Sequence, residues 1–132
     1  MDASFSITVD PVRSHVRVVL SGFFSIADVA QFVAARNREH LKLCCGPNEH
    51  LTSVDITGMK IQSQESVEQF TRVLADPSLK ARRLAFVVDA SLARMQAKRA
   101  AAGRDIAFFR TRSEAESWVF GLAEQDGRRA AA

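Results

Sequence analysis

Residue types that could do chemistry are few in this sequence, and one short stretch holds most of the metal-ligand types. It contains His40, Cys44, Cys45 and His50. A structural zinc site normally uses two cysteines separated by about two to four residues, because adjacent cysteines cannot easily both reach one tetrahedral ion. This stretch is therefore interpreted as a helix end followed by a loop, and no metal site is predicted.

Motifs of the common enzyme classes are missing from the sequence. There is no Gly-x-Ser-x-Gly nucleophile elbow, no phosphate-binding loop and no dinucleotide-binding fingerprint. We therefore predict no catalytic residue, no cofactor and no cofactor-binding residue. The protein is not expected to be an enzyme.

Composition narrows the class of protein further. A length of 132 residues, with 47% hydrophobic and 25% charged residues, is typical of one globular domain. No apolar run approaches the ~20 residues of a membrane span, and the acidic, strand-like start does not resemble a signal peptide. A cytoplasmic protein with no membrane span is expected. The net charge of +3 comes without a dense basic stripe beside aromatic residues, which argues against a nucleic-acid partner.

A hairpin is predicted at the start of the chain. Phe5, Ile7 and Val9 alternate with polar residues, which is the period of a half-buried strand. The Asp-Pro pair at 10–11 ends this strand, and a second strand is predicted at about residues 15–21.

A capped helix is predicted next. The Ser25 side chain can accept from free backbone amides at a helix start, and Asp28 in the first turn favours the positive helix end. The apolar face of this helix is predicted to include Ile26, Val29, Ala30 and Val33.

Three strand–helix units complete the chain. The strands are predicted at about residues 51–56, 84–88 and 106–109. Residues 57–59 are predicted to leave the first of these strands. Ser63 is a predicted helix cap, and Thr111 with Glu114 has the spacing of a reciprocal capping box.

These units predict an α/β fold with the order β-β-α-β-α-β-α-β-α. Right-handed crossovers make the strands joined by helices parallel. The result is a five-stranded mixed, mostly parallel sheet with an antiparallel edge strand and helices on its faces. Residues 1–122 are predicted to form a single domain, followed by a frayed C-terminal tail at residues 123–132.

Three stretches carry a family resemblance. Residues 53–59 read SVDITGM, residues 83–88 read RLAFVV, and residues 109–118 read FRTRSEAESW. With the leading hairpin, they make the sequence similar to the STAS-like family of bacterial anti-sigma-factor antagonists. The resemblance implies an uncharacterised bacterial member with the SpoIIAA-like fold and a non-enzymatic regulatory role.

The phosphorylation element of that family is only partly present. The antagonists carry an Asp-Ser-Ser-Gly-like element in which phosphorylation of a serine blocks partner binding. Here residues 60–66 read KIQSQES, so the Asp and Gly are absent and only Ser63 lies near the required place. A phosphate at a helix N-terminus is favoured, but nearby Glu65 would oppose it. Whether Ser63 is phosphorylated stays open.

The carboxyl ends of the parallel strands are the predicted location of an interaction or ligand edge, because open α/β sheets bind ligands there. A second interpretation is that Ser91 and Thr111 cap helices and Asp55 bonds to backbone amides. The residues of this candidate edge are Asp55, Thr57, Met59, Ser63, Ser91, Arg110 and Arg112.

Two functions are compatible with this sequence. The first is a regulatory or scaffolding protein-interaction module of STAS-like type, which binds a partner protein or forms a homodimer through residues 57–66. The alternative is a small-molecule or lipid-binding carrier, with Phe23, Phe24, Phe32 and Met59 lining an apolar cleft. A deep pocket would favour the carrier, and a flat symmetric interface would favour the interaction module.

Overall fold

The computed structural model describes residues 2–77, 80–89, 91–100 and 106–121, except the side chains of residues 91–93. The predicted tail at 123–132 lies outside the described residues. The elements are β1 (Ser4–Asp10), β2 (His15–Gly22), α1 (Ile26–His40), β3 (Leu51–Met59), α2 (Gln64–Ala75), β4 (Arg83–Val87), α3 (Ser91–Ala100), β5 (Ala107–Phe109) and α4 (Arg112–Val119).

The described strands form a five-stranded sheet in the order β1-β2-β3-β4-β5. β1 and β2 are antiparallel, and every later pair is parallel. The turn between β1 and β2 is held by the Asp10 carboxylate, which accepts from the backbone N–H groups of Val12 and Arg13 at 3.1 and 3.3 Å. The predicted fold class, element order and antiparallel edge strand are confirmed.

One face of the sheet is covered by α1, α2 and α3, and we name it the three-helix face. Val18, Val54 and Phe86 are neighbours in the register of β2, β3 and β4, and all three are buried. Because side chains alternate along a strand, the even-numbered residues of 16–20 and 52–56 share this face. They form the larger part of the core with side chains from the three helices.

Among the described helices, only α4 covers the opposite face, and we name it the single-helix face. Ala85 and Val87 of β4 form a second core cluster with Ala115 and Val119 of α4. Ala85 and Ala115 are both 0% exposed. β4 is thus buried on both sides, which explains its continuous apolar sequence.

α1 begins with a complete capping box. The Asp28 N–H donates to Ser25 Oγ at 3.1 Å, and the Ser25 N–H donates to Asp28 Oδ2 at 2.9 Å. Hydrogen bonds from the Ser25 backbone and then its side chain hold the pKa of Asp28 below its usual value. The predicted cap is confirmed. The structure adds the reciprocal bond, in which the Ser25 N–H donates to the Asp28 carboxylate.

The buried face of α1 differs from the predicted one. Val29 and Val33 lie against the core as predicted. Ile26 is 45% exposed and Ala30 is also exposed, so the prediction is wrong at these two positions. Phe32 takes their place, because its large ring packs against rings of β1 and α2 and thereby fixes the rotation of the helix.

β3 continues to Met59, whereas the sequence predicted its end near residue 56. Val19 pairs with Asp55 and Ser21 pairs with Gly58, so β3 has one residue more than β2 across this interval. This β-bulge lets the ladder continue past the predicted end. A Cβ at Gly58 would lie 2.9 Å from Ser21 Cβ, so the glycine permits a close approach of two strands and does not mark a turn.

Candidate functional site

The structure brings together three residues of the candidate edge, which we name the Asp55 rim. Asp55 Oδ1 accepts from the Thr57 N–H at 3.0 Å and from Thr57 Oγ1 at 2.7 Å. Arg112 Nη2 donates to Asp55 Oδ2 at 3.1 Å. Both carboxylate oxygens therefore have partners within the chain.

The protonation of Asp55 follows from these bonds. Burial acts to raise the pKa of the carboxyl, but the hydrogen bonds from Thr57 and the charge and hydrogen bond of Arg112 outweigh it and lower the pKa. A carboxylate held ionised in this way is a poor proton donor near neutral pH. The geometry matches the interpretation of Asp55 as a structural acceptor.

Ser63 is the N-cap of α2, as predicted, and it is exposed. Its Oγ accepts from the Ser66 N–H at 3.2 Å. Ser66 is 1% exposed and donates its hydroxyl to the Phe24 carbonyl at 2.6 Å. The start of α2 is thereby fixed to the end of β2, with the Ser63 hydroxyl on the outside.

The remaining residues of the candidate edge do not join the Asp55 rim. Arg110 is exposed after β5, and α3 begins at Ser91, whose side chain lies outside the described part of the chain. Met59 is turned into the core of the three-helix face. Thr111 caps α4, but the Glu114 carboxylate bonds to the Thr111 hydroxyl, so the predicted reciprocal bond to the backbone is not formed.

A cavity of about 120 Å³ lies within the three-helix face. Its floor includes Val18 and Val54 of the sheet, and its roof includes Phe32, Phe70 and Ala97 of the three helices. The middle of this cavity is apolar. Its polar side chains lie near the two ends of the sheet strands and come from loops and helices as well as from the strands.

The two ends of the cavity differ chemically. Met59, Gln62 and Gln96 line the end near the carboxyl ends of the strands. Arg36 and His40, near the C-terminus of α1, line the end near the amino ends of the strands. Two amides and the Lys60 side chain thus lie at one end, and Arg36, Lys80 and an imidazole lie at the other.

Gln62 holds the amide end together. It is 8% exposed, its Oε1 accepts from the Phe24 N–H at 2.8 Å, and its Nε2 donates to the Gly22 carbonyl at 3.0 Å. Its backbone N–H donates to Gln96 Oε1 at 2.8 Å, and Gln96 Nε2 donates back to the Gln62 carbonyl at 3.0 Å. Gln62 therefore joins the end of β2 through its side-chain amide and α3 through its backbone, just before the start of α2.

Arg36 is the most unusual group at the other end. Its Nε is buried and has no hydrogen-bond partner among the described residues. Its Nη2 makes one long contact with Asn37 Oδ1 at 3.4 Å. Burial lowers the pKa of Arg36, while the negative charge of Asp76 acts in the opposite direction. A buried guanidinium nitrogen without an acceptor is costly unless something else bonds to it.

His40 lies one turn beyond Arg36, with its ring against that of His50 at 4.9 Å between centroids. Burial, then the neighbouring His50 and Arg36, lower the pKa of His40 to about 4. The imidazole is uncharged at neutral pH and adds no positive charge to the cavity.

Metal ligation receives no support from this region. Among the residues that the structure describes, no group of three or more His, Cys, Asp or Glu side chains is placed to hold an ion.

Sequence reasoning placed two of four proposed cleft residues correctly. Phe32 and Met59 line the cavity. Phe24 is 0% exposed within the core, and Phe23 is 43% exposed on the surface. Arg36 was missed, although the four-residue spacing of Phe32, Arg36 and His40 places all three on one face of α1.

The strand order and the helices on both faces define a SpoIIAA-like α/β fold. The crystal structure of an uncharacterized protein from the DUF3478 family of Shewanella loihica PV-4, with a SpoIIAA-like fold, is similar. The two chains share 15% identity with a TM-score of 0.69, over 90% of this chain and 96% of that chain. No family model and no curated protein matches the sequence. This likeness establishes the fold alone.

Within the described residues, no helix combines the length and apolar character needed to cross a bilayer.

Proposed function

We propose that this protein is a non-catalytic module that binds a small, mainly apolar molecule inside the three-helix face. The observation that carries this proposal is the cavity of about 120 Å³ between the sheet and α1, α2 and α3. Protein interiors are usually packed as densely as organic crystals, with few voids larger than a water molecule.

The apolar walls of the cavity support ligand binding. Apolar atoms of a ligand placed against these walls gain dispersion contacts and leave water, which contributes about 0.8 kcal/mol per buried CH₂. A ligand that fills the cavity therefore gains a favourable free energy of binding.

The size of the cavity selects among carriers. An engineered cavity of about 150 Å³ binds benzene. A cavity of 120 Å³ therefore suits a single ring or a chain of about six carbons. This favours the small-molecule form of the carrier hypothesis over a carrier of long-chain lipids.

The lining also supports a non-catalytic role. Among the described lining residues there is no carboxylate, cysteine or serine. The Asp55 carboxylate is engaged by Thr57 and Arg112 on the opposite face of the sheet. His40, Lys60 and Lys80 do line the cavity, but no described lining residue pairs with them as a Ser–His, Cys–His or carboxylate–His unit would require.

A titration with benzene tests the proposal. We expect benzene to shift the backbone amide signals of Val54 and Phe86 in an NMR spectrum. Ala97→Leu places a larger side chain in the cavity and should weaken benzene binding by about tenfold or more. Ala30→Leu is the matched control, because Ala30 is exposed on α1. Absence of shifts, or equal binding by Ala97→Leu, would overturn the proposal.

A second candidate is the protein-interaction module, and exposed apolar side chains support it. Phe23, Ile26 and Ile61 are 43%, 45% and 46% exposed. Gln62 joins the segments that carry Phe23 and Ile61 through its bonds to the Phe24 N–H and the Gly22 carbonyl. Exposed apolar side chains are typical of interaction sites where they form one surface, and the exposed cap Ser63 follows Ile61 by two residues. We name Phe23, Ile26 and Ile61 the apolar patch.

Substitution of the apolar patch tests this second function. Ile61→Glu should abolish self-association in sedimentation experiments, or capture of a partner protein. The reason is that removing a charged side chain from water at an interface costs free energy. Val12→Glu is the control, since Val12 is 94% exposed in the turn between β1 and β2. Association that survives Ile61→Glu, or that is lost equally with Val12→Glu, would exclude the patch as the contact surface.

A further inference from the structure

The unpartnered Arg36 nitrogen gives the cavity a chemical preference that its apolar walls do not have. Arg36 Nε is buried and has no hydrogen-bond partner among the described residues, while the guanidinium lines the cavity. An arginine that merely extended its charge into water would leave its donors solvated. Here one donor is withheld from water at the end of an apolar space.

The charges at this end favour a single negative charge. Arg36 and Lys80 both line the cavity, and the Asp76 carboxylate acts on Arg36 from the end of α2. His40 is uncharged at neutral pH, because its pKa is about 4. Two cations and one anion leave a net charge of +1 at this end, which one carboxylate would neutralise. The third cation of the lining, Lys60, lies at the other end and is exposed to water.

The shape of the donor set also distinguishes among anions. A guanidinium presents parallel N–H donors that match the two oxygens of a planar carboxylate. Arg36 can present Nε together with an Nη group, because the one bond from its Nη2 is the long contact with Asn37 at 3.4 Å. A phosphate dianion would exceed the local charge and is bulkier than a planar carboxylate.

Resting on the proposed binding function, we propose that the ligand is a small monocarboxylate. Its chain of about six carbons, or its single ring, fills the apolar cavity, and its carboxylate pairs with Arg36 at the end near the amino ends of the strands. The ligand thus lies along the sheet, with its tail toward Met59 and Gln62.

Calorimetric titration with three compounds of equal chain length tests this inference. Hexanoate, 1-hexanol and hexylamine have the same tail and differ in the charge of the head group. At about pH 7 we expect hexanoate to bind at least about tenfold more tightly than 1-hexanol, since a hydrogen bond to a charged group contributes more than a neutral one. Hexylamine should bind most weakly, because its cation meets Arg36.

Substitution of Arg36 assigns the preference to one side chain. Arg36→Gln should weaken hexanoate binding about 10- to 100-fold and change 1-hexanol binding by less than about threefold. Arg36→Lys should give an intermediate loss, because it keeps the charge and removes the planar fork. Arg38→Gln is the matched control on the exposed side of the same helix. Thermal melting of each variant reports whether it is folded.

The possible outcomes separate this inference from the proposed function. Equal binding of hexanoate and 1-hexanol, unaffected by Arg36→Gln, would overturn the carboxylate and leave a neutral-ligand cavity. Failure of all three compounds to bind the folded protein would overturn the proposed function as well. Tighter binding of hexadecanoate than of hexanoate would overturn the size limit and restore a lipid as the ligand.

Discussion

On the single-helix face, α4 approaches the sheet closely, because Ala85 and Ala115 meet where a larger side chain would separate the two layers. On the three-helix face, Phe32, Phe70 and Phe86 project between the sheet and the helices and leave a cavity of about 120 Å³ among them. The same strands therefore support a closely packed layer on the single-helix face and a layer with a cavity on the three-helix face.

The two faces also differ in how a buried or half-buried arginine is satisfied. α4 is tied to the sheet by Arg17, whose Nε donates to Glu116 Oε1 at 3.0 Å, and by Arg83, whose Nη1 donates to the Trp118 carbonyl at 2.8 Å. On the three-helix face, the buried Nε of Arg36 lacks such a partner among the described residues. The single-helix face therefore combines close packing with polar bonds to the sheet, whereas the larger core of the three-helix face contains the cavity.

The largest contrast is expected from adding the same side chain to each face. Ala115→Leu should destabilise the protein by about 1–3 kcal/mol, because the single-helix face has no room for three further carbons. Ala97→Leu should be neutral or stabilise it by up to about 2 kcal/mol, because the side chain enters the cavity. Urea denaturation of both variants measures the difference. Equal losses in the two variants would show that the faces are packed alike.

A smaller effect is expected from acid. Folded His40 takes up a proton only near pH 4, whereas the unfolded residue does so near its ordinary pKa of 6.5. The unfolded state binds more protons in this interval, so stability falls as the pH falls from about 6.5 to 4. His15 on the single-helix face contributes in the same direction, since burial chiefly lowers its pKa.

The contribution of the three-helix face to this acid sensitivity can be measured with His40→Gln. Because the His40 ring is only partly buried and solvent screens its charge, we expect this variant to lose on the order of 1 kcal/mol less stability than the parent protein on acidification. Urea denaturation at about pH 7 and pH 5 measures both losses. An identical loss in parent and variant would assign the acid sensitivity to other groups.

The smallest effect is expected at the Asp55 rim. Arg112→Gln removes the ion pair with Asp55 but leaves the two bonds from Thr57 in place. Exposed ion pairs contribute about 0.2–1 kcal/mol, so the melting temperature should fall only slightly. A loss above about 2 kcal/mol would mean that charge, and not the packing of Ala115 and Val119, holds α4 on the sheet.

The fold was predictable because each element has its own signal. The alternation of Phe5, Ile7 and Val9 and the apolar sequence of β4 indicate strand type directly, and the handedness of crossovers fixes the parallel order. The end of β3 was not predictable, because the bulge before Gly58 depends on how β2 and β3 approach each other.

The cavity was not predictable from residue types. Val54 and Phe86 occupy apolar positions in their strands, and the sequence reads the same whether such side chains touch the opposite layer or line a cavity. Ser63 was correctly placed as a cap, since capping depends on a few neighbouring residues. Arg36 resembles any surface arginine until the tertiary structure buries its Nε.

The cavity of the three-helix face also affects how the stability of the protein depends on hydrostatic pressure. The volume decrease on unfolding scales with the internal space that water cannot fill in the folded protein, and the apolar cavity of about 120 Å³ contributes to such space. The unfolded chain therefore occupies less total volume than the folded protein with its solvent, and hydrostatic pressure shifts the equilibrium toward unfolding. Any molecule that fills the cavity reduces this volume change, so a bound ligand would protect the fold against pressure.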